Sequence, residues 1–176
     1  MKIVTAPEIY ETKPTEVSVF LAGGITDCPD WQKTVIDALR STPDLEWLVI
    51  YNPRRENFPI NDPNAAREQI EWEFNALEKA DIFSIFFSGG ESLQPICMYE
   101  LGRNLHRMKT KYEGNWYELA SRIVVTVEPE CKRRSDVIIQ TELAMDGYKG
   151  FAIYGNALWH ASYIASAAKQ VYHNKR

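Results

Sequence analysis

Five short apolar runs, separated by amphipathic stretches, constrain this chain more than any other feature. They are VSVFLAG (17–23), EWLVIYNP (46–53), DIFSIFFS (81–88), RIVVTVEP (122–129) and GFAIYG (150–155). Short apolar runs rich in β-branched and aromatic residues and bounded by turn formers read as buried strands. The intervening stretches repeat their apolar residues at helical spacing. DWQKTVIDALRS (30–41) reads as a helix capped by Asp30, followed by AAREQIEWEFNALEKA (65–80). Pro95 can open the next helix, because its missing N–H costs nothing at that position. SDVIIQTELAMDG (135–147) and ALWHASYIASAAKQVYHN (157–174) supply two more, and the opening MKIVTA can add an edge strand.

Alternation of this kind predicts an α/β fold: a mostly parallel five-stranded sheet with helices on both faces, three layers in all. Ligands bind such sheets outside the carboxyl ends of the strands. That rule selects the loops after Gly23, Pro53, Ser88 and Pro129.

The length of 176 residues suits one domain over 1–176. A net charge of −4, from 20 basic and 24 acidic residues, offers no broad footprint for nucleic acid or an anionic membrane. Cys28, Cys97 and Cys131 are odd in number and far apart, which speaks against a disulfide framework or a zinc site and for a reducing, cytoplasmic setting. His160 and His173 have no partner pattern, so no metal and no cofactor is expected. MKIVTAPEIYETKPTE lacks the apolar core of a signal peptide, and no apolar run reaches membrane-spanning length.

Two carboxylates sit oddly. In the second helix Ile70, Phe74 and Leu77 mark a core-facing stripe, and Glu73 lies on or beside it. Either it snorkels to the edge of the stripe or it belongs to a site. In the third helix Cys97, Met98, Leu101, Leu105 and Met108 form the apolar face, and Glu100 flanks Leu101. The helix N-terminus favours an ionised carboxylate there, and Gly102 leaves room for another group. Such a carboxylate is a candidate nucleophile for an anomeric carbon; the alternative is a solvated helix glutamate.

VFLAGGI, QIEWEFNALEKADIFSIFF and MYELGR, in that order and spacing, resemble the nucleoside 2-deoxyribosyltransferase family, and more closely its "like" branch, over roughly half of the chain. The resemblance implies a flavodoxin-like, Rossmann-like fold and cleavage or transfer at the N-glycosidic bond of a nucleoside or nucleotide. It makes Glu100 the nucleophile that attacks C1′ and places Glu73 against the base. Ala22, Gly23 and Gly24 become the glycine loop that admits the sugar. A homo-oligomer with a dimer as its unit is expected, on the resemblance and on the many aromatic residues, 12% of the chain. Two departures stand out. Phe20 occupies the slot of a tyrosine that orients the nucleophile, and Gln94 replaces an aspartate or serine six residues before it.

Further binding candidates surround these. Trp31 can stack on a base or be a buried helix-start aromatic. Arg54, with Arg55, can hold a phosphate or form a solvated pair. Asp136 and Gln140 follow the fourth strand, where relatives complete their sites. Two functions compete: a glycosidic enzyme acting on a small nucleoside or nucleotide, and a non-catalytic sensor of a nucleotide-like ligand.

Overall fold

The computed structural model describes residues 1–176. Six strands form one wholly parallel sheet: β1 Lys2–Thr5, β2 Val17–Gly23, β3 Leu48–Asn52, β4 Ile82–Phe87, β5 Ile123–Val127 and β6 Ala152–Tyr154. Six helices connect or flank them: α1 Trp31–Arg40, α2 Ala65–Lys79, α3 Pro95–Lys111, α4 Trp116–Ala120, α5 Arg134–Ala144 and α6 Ala157–Asn174. The spatial order is β1-β3-β2-β4-β5-β6. Without β1 it is the doubly wound, flavodoxin-like order. The expected count of five strands becomes six because MKIVTA does pair, in register Lys2 to Val49 and Thr5 to Asn52, along the outer edge of β3.

Strand alternation divides the core in two. Phe20, Ala22, Phe83, Ile85 and Phe87 face one side, where α2, α3 and α5 cover them. Val19, Leu21, Ile82, Phe86 and Val124 face the other, under α1 and α6. All six residues of β4 are buried, and each fully buried phenylalanine contributes about 1.5–3 kcal/mol.

The five expected helices follow their sequence signals with one exception, and a sixth, α4, capped by Asn115, is not among those expected. Asp30 accepts from the Lys33 amide and caps α1, and Pro95 stands in the first turn of α3. In α2 the expected stripe is wrong for two of its three residues: Ile70 is 63% and Phe74 51% exposed, and only Leu77 is buried. The helix instead seats Ala65, Ala76 and Leu77 on the protein, with Trp72 partly buried against the core. Ala65, Ala76 and Leu77 are the residues that α2 turns inward, and Ile70 and Phe74 face outward. Glu73 lies between the two sides.

Candidate active site

The chain leaves β2 for β3 on one side of it, while β4 lies on the other, so the strand order reverses between β2 and β4. At the carboxyl ends of these two strands lies a cavity of about 340 Å³. Its size and place fit a small-molecule site at a topological switch point. Ala22, Gly23, Gly24, Ile25 and Thr26 form one wall, and Ser92, Gln94, Pro95, Ile96 and Cys97 another. Glu73 enters from α2 and Glu100 from α3. Phe20 and Pro53 complete the lining, and no cationic side chain is part of it.

Glu100 has no hydrogen-bonding or ion-pair partner for its carboxyl group; only its main-chain oxygen is engaged, accepting from the Asn104 amide at 2.9 Å. Burial, and then the charge of Glu73, push its pKa up to about 7, against a smaller opposing pull from Arg103. A fully ionised Glu100 at neutral pH, expected from the helix N-terminus alone, is therefore corrected: desolvation and a like charge outweigh the dipole. Glu73 accepts from the Gln69 amide at 2.7 Å, and that same amide holds the Pro53 carbonyl at 2.7 Å. Burial raises the Glu73 pKa, and the Gln69 bond offsets part of the rise. Glu100 thus titrates in the field of Glu73.

Gln94 is 4% exposed and takes a left-handed backbone, φ 47°. Its amide nitrogen donates to the Ser88 carbonyl at 2.9 Å, which leaves its oxygen buried without a donor beside Gly24. Gly24 has no room for a side chain: a Cβ would lie 2.4 Å from the Cys28 sulfur and 2.8 Å from that oxygen. Gly102, by contrast, is exposed, and a Cβ there would meet nothing within 4 Å. It makes no close approach, because it points away from the cavity.

The other candidates lie elsewhere. Trp31 is 2% exposed and sits beneath the glycine loop, off the cavity wall. Arg54 lies behind the loop, with its guanidinium on Gln32 (2.9 Å) and the carbonyls of Pro29 (3.0 Å) and Ile25 (3.3 Å). Arg55 pairs with Glu68 at 3.0 Å. Asp136 pairs with Arg133 at 3.0 Å, Gln140 is exposed, and neither reaches the cavity. Sequence reasoning missed Ile25, Thr26 and Ser92 on the walls; the Gly-Gly and Ser-Leu-Gln turns around them were the available signal. Cys97 lines the wall as a protonated thiol, pushed up to about 12 by burial. A larger hollow of about 590 Å³ lies between Pro7–Tyr10 and α2, but its cations Arg67 and Lys79 are already paired with Glu71 and Glu11.

A family described as nucleoside 2-deoxyribosyltransferase like matches residues 16–112. That span carries β2 through α3 and every residue of the cavity. The chain belongs to the nucleoside 2-deoxyribosyltransferase-like family. No curated protein matches it. In this member of the nucleoside 2-deoxyribosyltransferase-like family, Phe20 puts a ring without a hydroxyl on the cavity wall. Asp136 and Gln140 lie outside the matched residues.

Proposed function

We propose that the cavity cleaves or transfers at the N-glycosidic bond of a nucleoside or nucleotide, through a covalent intermediate on Glu100. The observation that carries this is a carboxyl group without a protein partner, half-buried at the switch point of a family member. In its ionised form Glu100 attacks C1′, and a Glu100–C1′ ester bond forms as the C1′–N bond breaks. The base leaves with that bond's electron pair and takes up a proton. Water or a second base then attacks C1′ and returns the carboxylate. Glu73 meets the base, and Gln94 shapes the wall beside the sugar.

One observation favours the sensor. Phe20 cannot orient Glu100 by a hydrogen bond, and no other side chain does so. Mass spectrometry after incubation with a panel of nucleosides and nucleotides separates the two. Released base or a glycosyl adduct supports the enzyme, and saturable binding of unchanged ligand supports the sensor.

Residues 1–176 act as a single domain in this proposal, and the working unit is a homodimer. Ile96 on α3 lines the cavity and is exposed, as are Tyr99 on α3 and Ile70 and Phe74 on α2, the two helices that carry Glu100 and Glu73, and a second copy would cover them. No helix is long and apolar enough to cross a membrane.

A further inference from the structure

Trp31 lies on the face of the sheet opposite the cavity, in the core under α1 and α6, whereas Phe20, Ala22 and Cys97 of the cavity belong to the other core. Its indole N–H donates to the Gly24 carbonyl at 2.9 Å, the bond crossing to the loop above the sheet edge. The Gly24–Ile25 peptide is trans, so its carbonyl and its N–H point in opposite directions. With the carbonyl turned to Trp31, the Ile25 N–H turns away from Trp31, and Gly24, Ile25 and Thr26 wall the cavity. No acceptor in the protein takes the Ile25 N–H.

The indole is itself held. It tilts against Phe86 at 5.1 Å, and the His160 ring meets it edge-on at 5.8 Å. His160 is wholly buried, with one nitrogen hydrogen-bonded to Ser84 Oγ at 2.8 Å and the other to Thr126 Oγ1 at 2.9 Å. The ring cannot turn without breaking a bond. Gly23 closes the stack: its φ is 147°, and a Cβ would lie 2.5 Å from the indole Cζ2. Only glycine lets the loop rest directly on Trp31.

We propose that Trp31 is a positioning residue, braced by His160, that fixes the Gly24–Ile25 peptide so that the Ile25 N–H stands in the cavity as a donor to an uncharged oxygen of the ligand. The oxygen is uncharged because Glu73 and Glu100 share the cavity and no cationic side chain lines it. Naming it a sugar oxygen rests on the nucleoside reading above; the role of Trp31 does not.

Nuclear magnetic resonance on the full chain tests both parts. In the wild type the Trp31 indole proton should exchange slowly with solvent, and a fast-exchanging indole overturns the proposal without any variant. Trp31→Phe keeps an aromatic ring and deletes the donor. The Ile25 amide should then lose its fixed orientation and its nitrogen-15 order parameter should fall, while a purely structural Trp31 would lower the melting temperature and leave that order parameter unchanged. Thymidine, deoxyadenosine and adenosine serve as probes. The expected loss of affinity in Trp31→Phe is about tenfold, the value of one neutral hydrogen bond. Unchanged affinity together with an unchanged Ile25 order parameter overturns the proposal. If the wild type binds none of the three, the nucleoside reading fails by itself. The Ile25 order parameter in Trp31→Phe still decides the role of Trp31: a fall supports it, no change overturns it.

Discussion

Glu73 and Glu100 reach one cavity from two helices, and after burial the charge on Glu73 is what raises the Glu100 carboxyl to about 7. Neither residue is paired with a cation there, although Arg103 lies near enough to oppose the rise. Arg103 is occupied by Glu78 and by the ring of Phe74, 4.1 Å away. The site therefore leaves both carboxyl groups without a cationic partner, and three consequences can be measured.

Cleavage should depend on pH through Glu100. Only the ionised form attacks C1′, and about half is ionised near pH 7. A plot of kcat/KM against pH should rise through about 7 and then level off, since that ratio reports the free enzyme. A profile that stays flat across this range contradicts the assigned nucleophile.

Glu100→Gln should separate stability from activity. The folded-state pKa of about 7 lies above the ordinary value of 4.5, so the fold prefers the protonated form. The stability this gives is complete below about 4.5 and is lost as pH rises through about 7. A neutral amide escapes that loss. Above neutral pH the variant should melt about 5 °C higher than the wild type, with the gain vanishing near the ordinary carboxyl pKa. Its glycosidic cleavage should fall by about three orders of magnitude. Calorimetry across the pH range and a turnover assay read the two effects.

Glu73→Gln removes the like charge and leaves the burial. The Glu100 midpoint should drop from about 7 and remain above 4.5, read by carbon-13 titration of the carboxyl. An unmoved midpoint would mean that the two carboxylates do not feel each other.

Gly102→Ala tests the corrected position of that glycine. It lies in the interior of α3 with open space where its Cβ would go. The variant should gain about 1 kcal/mol by helix propensity, with turnover unchanged. A loss of turnover would return Gly102 to the site.

The exposed apolar residues of α2 and α3 supply one more test. Phe74→Asp places a charge on the exposed stripe of α2. Light scattering should report a dimer for the wild type at micromolar concentration and a smaller species for the variant. A wild-type monomer refutes the dimer.

The sequence by itself determined the sheet. Runs such as DIFSIFFS, short, aromatic-rich and bounded by turn formers, read as buried strands, and their alternation with amphipathic stretches leaves few arrangements besides a parallel sheet between helix layers. It also determined the part of the site next to the strand ends: Ala22 to Gly24, Gln94, Glu100 and Glu73 meet in one cavity because β2, β4 and their following segments end at one switch point. Only the tertiary structure decided how each helix turns on that sheet. Apolar spacing marked Ile70 and Phe74 as core, yet Ala65, Ala76 and Leu77 are what the protein buries, since close packing rewards fit and not hydrophobicity alone. Tertiary structure likewise moved Trp31 beneath the loop, engaged Arg54 with carbonyls far along the chain, and paired Asp136 with Arg133 away from the cavity. It also set the state of Glu100. A local dipole can be read from position in a helix, but desolvation and the charge of Glu73 depend on what the fold brings alongside, and here these outweigh the dipole.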